Sequence, residues 1–214
     1  MINDMSVGNP VKVLLRFALP LIIGNIFQQF YNIVDSLVVG NFVGADALAA
    51  VGSSGSITFT YVAVATGASI GCSVVISQLF GAKRYGETKT AIHTSFIAVL
   101  ALGAVLVLIG MLFCDDLLRL LKTPDNIFAD ARAYLLIYVG GVIFLFLYNI
   151  ATAVFNALGD SKTPLLLLLI SSLLNVGLDL WFVLSFHWDV AGVAWATLIS
   201  QAVAGAVAVL IMKK

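Results

Sequence analysis

The sequence predicts an all-α membrane protein, a bundle of six transmembrane helices that forms one lobe over residues 1–214. The composition is the first reason: 61% of the 214 residues are hydrophobic, 10% are charged, and the mean hydropathy is +1.08. Such values exclude an ordinary soluble domain. The second reason is the presence of six apolar segments, each long enough to cross a bilayer. They are residues 14–39, 48–79, 91–113, 133–158, 165–186 and 190–212.

The charges and the cysteines exclude several functional classes. Eleven basic and eleven acidic residues cancel, so no overall basic surface indicates a nucleic-acid partner. Cys72 and Cys114 are far apart and have neither the spacing of a disulfide framework nor that of a metal site. We therefore interpret both as packing residues, and we expect no cofactor and no enzymatic activity.

The basic residues predict the orientation in the membrane. Eight of the eleven lie near the termini or in the connections after spans two and four, and these are Lys12, Arg16, Lys83, Arg84, Lys89, Lys162, Lys213 and Lys214. By the positive-inside rule, both termini are expected to be cytoplasmic and the loop 114–132 to be external. The predicted location is the cell membrane, with the lipid bilayer as the surrounding partner.

Span five carries polar groups that a membrane helix does not need for insertion. Asn175 and Asp179 lie inside its apolar run. A charged residue at the centre of a spanning helix costs about 2.5–3.5 kcal/mol on insertion scales, so such residues usually mark an ion or substrate path. Residues four apart share one helical face, where an amide and a carboxylate can hold a proton, a cation or a water.

Span one carries a polar stripe at helical spacing. Its members are Asn25, Gln28, Gln29, Asn32 and Asp35. One interpretation of the amides is hydrogen bonding between helices, which stabilises bundles by about 0.6 kcal/mol per contact. The other is the lining of a pocket, and Asp35 favours it, because helix association does not need a full charge. Pro20 removes a backbone donor and is expected to kink this span.

Depth allows the polar residues of several spans to meet. With a rise of about 1.5 Å per residue, Asp35, Asp179 and Thr197 fall at similar depths in spans one, five and six. Tyr134 and Tyr138 of span four fall in the same half of the membrane, and Asn149 and Asn156 follow them at near-helical intervals. This predicts a pocket in the outer half, between spans one, four, five and six.

Two carboxyl groups close together in a low-dielectric medium cannot both ionise cheaply. If Asp35 and Asp179 meet, we expect a proton or Na⁺ to bind between them. The loaded pocket would be neutral and the empty one anionic, which would favour different packings of span one. An organic cation would compete for the same acids.

Five stretches of the sequence resemble one known family. They are YNIVDSLVVGNFVGADALAAVG (31–52), GAKRYGE (81–87), ALGDSKTP (157–164), NVGLD (175–179) and AGVAWATLISQ (191–201). Together, in this order and spacing, they are similar to the N-terminal half of the multidrug and toxin extrusion transporters, the MATE family. The resemblance covers nearly the whole chain.

The resemblance implies an antiporter, driven by H⁺ or Na⁺, that exports organic and often cationic compounds by alternating access between two six-helix lobes. It implies roles for nine of the following ten residues. The coupling-ion site would use Asp35, Asn175, Asp179 and Thr197, the substrate pocket would be lined by Gln28, Tyr31, Asn32, Tyr134 and Asn149, and the kink would lie at Pro20. Asn32 enters this set from the polar stripe.

The family continues into a second lobe, whereas this sequence stops after span six. The explanations are a fragment of a full transporter, which we favour, a truncation, and a half-transporter that pairs with a second copy in the same orientation. The partners expected are therefore small organic substrates and either a C-terminal lobe or a second copy.

Other functions stay open at the level of sequence. The nearest is a flippase for lipid-linked precursors or a polysaccharide exporter of related architecture, for which an Arg-rich cavity would be expected. An intramembrane enzyme could use the two carboxylates as acid and base, but no nucleophile or nucleotide motif accompanies them. A non-transporting membrane subunit would not depend on either acid, and a channel would need a selectivity loop that we do not find.

Overall fold

The computed structural model describes residues 9–186 and 188–212, and every regular element within them is helical. The helices are α1 (Pro10–Val38), α2 (Ala45–Gly81), α3 (Tyr85–Leu112), α4 (Cys114–Leu120), α5 (Asp125–Ala157), α6 (Lys162–Phe186) and α7 (Asp189–Met212), with a π-helical segment (Val39–Val43) after α1. Six of the described helices are long and apolar enough to cross a membrane, which confirms the six predicted spans. Lys213 and Lys214, used in the orientation prediction, lie outside the described residues.

The loop 114–132 is the part of the predicted architecture that was wrong. It contains the short helix α4 and the first turns of α5, which begins at Asp125 rather than at 133. The hydropathy of the sequence marks only the apolar middle of a helix, so charged first turns are assigned to loops. Arg132 Nε donates to Asp115 Oδ1 at 2.6 Å and joins α4 to α5.

Helix α5 forms the centre of the bundle. It packs against α2, α3 and α7, and side chains such as Phe146, Leu135 and Val139 are fully buried. Glycines allow the neighbouring backbones to approach closely. A Cβ at Gly103 of α3 would lie 3.0 Å from Phe146 Cγ, and one at Gly141 of α5 would lie 2.8 Å from Leu198 Cγ. The core therefore has no spare volume along these contacts.

Helix α1 lies at the edge of the bundle and packs mainly against α6. Gly24 is buried where α1 meets Leu165 and Leu168, while most apolar side chains of α1 are exposed to the surroundings. The helix continues through Pro20, which has no N–H to donate to the carbonyl of Arg16. One backbone hydrogen bond is therefore missing in the first half of α1, and the kink at Pro20 stays a prediction.

The π-helical segment follows the turn that carries Asp35. Gly44 N donates to Val39 O at 3.1 Å, five residues back, and Gly44 has a φ of 124°, a conformation that L side chains rarely adopt. Single π-helical turns occur frequently at functional sites. Here the segment joins the acidic end of α1 to α2.

Asp160 caps the first turn of α6. Its Oδ1 accepts from the backbone N–H groups of Lys162 and Thr163, each at 3.1 Å, and its Oδ2 accepts from Thr163 Oγ1 at 2.6 Å. Burial alone would raise the pKa of Asp160, but favourable interactions that include the hydrogen bonds from Thr163 hold the pKa below its ordinary value. The ionised form is therefore the one that stabilises the fold.

We expect Asp160→Ala to lower the free energy of unfolding by about 0.5–2 kcal/mol at neutral pH, because it removes the cap. Since the pKa is lowered on folding, the stabilisation by ionised Asp160 is complete above the unfolded pKa, near 4, and disappears as the pH falls through the lowered folded pKa. Denaturant titrations in detergent micelles at several pH values measure this. Asp160→Asn is the matched control, since it keeps a capping oxygen but cannot titrate. An acid sensitivity identical in all three proteins would contradict the assignment.

Candidate functional site

Five polar side chains from three helices meet inside the bundle, near the end at which α1 stops and α7 begins. We name them the carboxyl cluster, and they are Tyr31 and Asp35 of α1, Asn175 and Asp179 of α6, and Thr197 of α7. The carboxyl groups of Asp35 and Asp179 lie within hydrogen-bonding reach of each other. Asp179 is fully buried and Asn175 is 2% exposed.

Helical spacing places these groups. Asn175 and Asp179 are one turn apart on the face of α6 that points into the bundle, and Tyr31 and Asp35 are one turn apart on α1. Because α1 packs on α6, the two pairs come together. The structure thus brings Asp35 to Asp179 and Thr197 to Asn175, one turn away, which the depth argument allowed.

The amide of Asn175 is the centre of the hydrogen-bond network. Tyr31 Oη donates to Asn175 Oδ1 through a short hydrogen bond, and Asn175 Nδ2 donates to Thr197 Oγ1 at 3.4 Å. When the amide oxygen and nitrogen are exchanged, both find suitable partners: Nδ2 donates to Asp179 Oδ2 at 3.1 Å, and Oδ1 accepts from the backbone N–H of Thr197 at 3.1 Å. The atom of Asn175 that faces Asp179 is therefore a donor in one orientation and an acceptor in the other.

Each acid also has an unused oxygen. Oδ1 of Asp35 and Oδ1 of Asp179 are buried and have no hydrogen-bond partner among the described residues. A buried oxygen without a partner carries its full desolvation cost, about 1–3 kcal/mol and more when charged. The cluster is accordingly incomplete with protein groups alone, and a bound proton, cation or water would complete it.

Two tyrosines of α5 form the wall beside the acids. Tyr134 is 8% exposed and lies near enough to Asp35 and Asp179 to interact electrostatically with both. Its ring stacks on that of Tyr138, with centroids 6.1 Å apart and an interplanar angle of 20°. Tyr134, predicted as pocket lining, therefore stands beside the carboxyl cluster.

A polar cavity of about 70 Å³ adjoins the cluster. Its walls come from α1, α5, α6 and α7, and they include Gln28, Tyr31, Asn175 and Thr197 among the predicted residues. The lining that was not predicted consists of Tyr148, Leu168, Ser171, Ser172, Ser200, Gln201 and Ala204. A sequence signal existed for two of them: Ser171 precedes Asn175 by one turn, and Gln201 follows Thr197 by one turn.

The side chains of Asn32 and Asn149 form hydrogen bonds with residues outside the carboxyl cluster. Asn32 is exposed on α1, where Gln28 Nε2 donates to its Oδ1 at 3.1 Å and its Nδ2 donates to Gln29 Oε1 at 3.1 Å. Asn149 accepts from Thr66 Oγ1 of α2 at 3.2 Å and donates to Leu145 O at 2.9 Å. Neither is among the residues that line the polar cavity.

A second, mostly apolar cavity of about 300 Å³ lies where α2 and α3 meet the end of α4, with Ile57, Val64 and Leu117 in its walls. Its lining contains no member of the carboxyl cluster and no other predicted site residue. The carboxyl cluster therefore adjoins the smaller, polar cavity, which is lined by its members Tyr31, Asn175 and Thr197.

A bundle of six spanning helices with a buried pair of carboxyl groups and an adjoining polar cavity is the arrangement expected of a membrane transporter. The sequence matches the family model described as MatE over residues 20–181. The chain therefore belongs to the MatE family, the multidrug efflux transporters that the sequence motifs resemble.

Curated relatives agree with this membership. The chain is 35% identical over 201 residues to the probable multidrug resistance protein YpnP of Bacillus subtilis, a match that covers 94% of this chain and 45% of the relative. It is 27% identical over 197 residues to the multidrug export protein MepA of Staphylococcus aureus, covering 90% and 43% respectively. Family members of this kind are transporters rather than enzymes.

Solved structures give the same fold. The outward-facing conformation of a multidrug resistance MATE family transporter of the MOP superfamily superposes with a TM-score of 0.90 at 27% identity, over 96% of this chain and 45% of that one. The structure of a MATE protein in its bent conformation gives a TM-score of 0.87 at 27% identity, over 94% and 45%. The chain thus spans about half the length of the relatives it matches.

Proposed function

We propose that this chain is the ion-coupling lobe of a cation-driven antiporter that exports organic compounds. The observation that carries the proposal is the contact between the carboxyl groups of Asp35 and Asp179 inside a membrane-spanning bundle. Asp35 lies on α1 and Asp179 on α6, the helix against which α1 mainly packs, so a positive charge bound between the two carboxyl groups would change the packing of α1.

The electrostatics of the pair support ion binding. With both acids ionised, two negative charges would be in contact in a low-dielectric medium, which is strongly unfavourable. A proton on one carboxyl group, or a Na⁺ held by the carboxylate, amide and hydroxyl oxygens of the cluster, removes the repulsion. The unpartnered Oδ1 atoms are available as ligands.

The amide of Asn175 would respond to whether Asp179 is ionised or protonated. When its Nδ2 faces Asp179 Oδ2 at 3.1 Å, the contact suits an ionised carboxylate. When its Oδ1 faces the same atom, a proton on Asp179 is needed to make the contact favourable. Loading with H⁺ would thus be accompanied by a turn of the amide, with Tyr31 and Thr197 as its other partners.

The proposed conformational response lies in α1. This helix packs mainly on α6, contains Pro20 and ends in a π-helical segment, so it can change its packing without opening the α5-centred core. An anionic cluster would hold α1 differently from a neutral one. Alternation of access would follow from this difference, in concert with a second lobe.

The proposed substrates are organic compounds that are often cationic. The polar cavity offers hydroxyl and amide groups together with the aromatic rings of Tyr31 and Tyr148, and no basic residue lines it. Aromatic rings and nearby carboxylates attract organic cations. The names of the relatives, which refer to multidrug resistance and export, agree with a broad substrate range.

The partner we propose is a second lobe of similar size, either encoded with this one or supplied by a second copy. The central path of a two-lobe transporter requires both surfaces. The exposed apolar residues of α1, among them Ile22, Ile26 and Phe30, would face either that partner or lipid.

The test is gradient-driven transport in proteoliposomes. The chain alone, and the chain continuous with any second lobe that its gene encodes, are reconstituted, and uptake of a fluorescent organic cation is followed under an imposed H⁺ or Na⁺ gradient. We expect transport that depends on one of the gradients and stops when that gradient is collapsed. Transport by the chain alone would identify a half-transporter that pairs with itself.

Two outcomes would overturn the proposal. Translocation of a labelled lipid-linked precursor without any organic-cation transport would favour the flippase. Absence of both activities in the two-lobe form, when that form is folded, would favour a non-transporting membrane subunit.

Both termini are proposed to be cytoplasmic, and labelling of terminal cysteine variants in intact cells tests that orientation.

A further inference from the structure

Gln201 is a half-buried amide that the carboxyl cluster does not use. It lies one helical turn after Thr197 on α7, and its Oε1 is buried without a hydrogen-bond partner among the described residues. A buried amide oxygen without a donor carries an uncompensated desolvation penalty. Such a group is usually paired with an ordered water when no protein donor is present.

The cavities beside Gln201 have room for water. Besides the polar cavity of about 70 Å³, a cavity of about 10 Å³ lies between α5 and α7, and both are lined by Thr197 and Gln201. Because one water needs about 10–15 Å³ of cavity volume, the smaller cavity has room for about one molecule. Tyr138 is the remaining polar residue in its lining.

The neighbouring hydroxyl groups decide which donors are available. Ser200 Oγ donates to Ala196 O in a short hydrogen bond, so it is already engaged within α7. Thr197 Oγ1 lies 3.4 Å from the amide atom of Asn175 that also faces the backbone N–H of Thr197 at 3.1 Å, and a position beside that donor suits the amide oxygen. A water in the smaller cavity could donate to both Gln201 Oε1 and Thr197 Oγ1, which leaves the hydroxyl proton of Thr197 for Asn175.

We propose that Gln201 holds an ordered water against Thr197 and thereby acts as a positioning residue for the carboxyl cluster. The water fixes the Thr197 hydroxyl with its proton directed at Asn175. That arrangement favours the orientation in which the amide oxygen of Asn175 points to Thr197 and its Nδ2 donates to Asp179 Oδ2. The predicted effect on ion affinity rests on the proposed coupling function, whereas the water site itself does not.

The direct test is an experimental structure of the unaltered protein at a resolution that shows ordered water. We expect a water within hydrogen-bonding distance of both Gln201 Oε1 and Thr197 Oγ1. A dry cavity, or a Gln201 side chain bonded to a protein donor, would overturn the inference. This measurement needs no variant and no transport activity, so it stands even if the proposed function fails.

The functional test compares Gln201→Met with Gln78→Met, the same substitution at an exposed position of α2. Loss of one neutral hydrogen-bond link predicts a shift of about threefold to tenfold in the concentration of coupling ion needed for half-maximal transport. The maximal rate and the infrared carboxyl band of Gln78→Met are expected to match the unaltered protein. The carboxyl band should move in Gln201→Met, because the hydrogen bond that Asp179 receives changes.

Two results would count against the positioning role. One is an unchanged ion dependence and carboxyl band in a folded Gln201→Met. The other is a lower maximal rate with no shift in ion dependence, which indicates a merely structural role. If the unaltered protein itself shows no ion-driven transport, the proposed function is wrong, and the water site is then judged by the experimental structure alone.

Discussion

Asp179→Asn is expected to reduce ion-driven export by at least about tenfold, which corresponds to about 1.4 kcal/mol or more of lost coupling. The substitution keeps the size of the side chain and removes its charge. Asp179 is fully buried in contact with Asp35, so the variant cluster holds a single acid and has no like-charge repulsion for an ion to relieve. Transport rates in proteoliposomes under the effective gradient measure the loss.

The two acids are expected to act as a unit. Asp35→Asn should cause a similar loss, and the double variant should be little worse than either single one, since residues in contact are not additive. Asp46→Asn is the matched control, because Asp46 is an exposed acid in the first turn of α2. Losses that simply multiply in the double variant would show that the carboxyl groups work independently.

Gly141→Ala is expected to destabilise the bundle by about 1–3 kcal/mol, the usual effect of overpacking a close-packed core. The new Cβ would lie 2.8 Å from Leu198 Cγ, so α5 and α7 must separate or Leu198 must move. Leu198 follows Thr197 in the chain, and its displacement would also disturb the carboxyl cluster. Denaturant titration in mixed micelles measures the change in the free energy of unfolding.

Gly67→Ala provides the comparison. A Cβ at Gly67 of α2 meets nothing within 4 Å, so only the backbone effect remains, and alanine should stabilise the helix by about 0.5–1 kcal/mol. The two substitutions are chemically identical and should have opposite signs. Equal effects would indicate that α5 and α7 are less closely packed than the structure describes.

The sequence alone was sufficient for the six spans, and it allowed Asp35 to meet Asp179. Long apolar segments define spans by a large solvation energy, and helical spacing together with depth places charged residues on definite faces. Asp179 was recognisable because an acid inside an apolar run is costly. These are strong, local signals that do not depend on how the helices are arranged.

Other features depend on tertiary arrangement and were not predicted. Helix α4 begins within a stretch rich in aspartate, where hydropathy indicates a loop. Gln201 and Tyr148 are ordinary polar residues until the packing of α7 and α5 closes a cavity around them. Asn149 shares the helical spacing of the pocket residues, yet Thr66 of α2 supplies its partner, which only the arrangement of helices can reveal.

Because α1 lies at the edge of the bundle, the stability of the lobe and the chemistry of its carboxyl cluster depend on different helices. The stability of the lobe resides largely in the contacts of α5 with α2, α3 and α7, whereas the acid at position 35 is held by a helix outside that core. Substitutions along the exposed side of α1 can therefore accumulate with little effect on folding. The chemistry of the cluster can diverge between relatives while the scaffold that carries it stays the same.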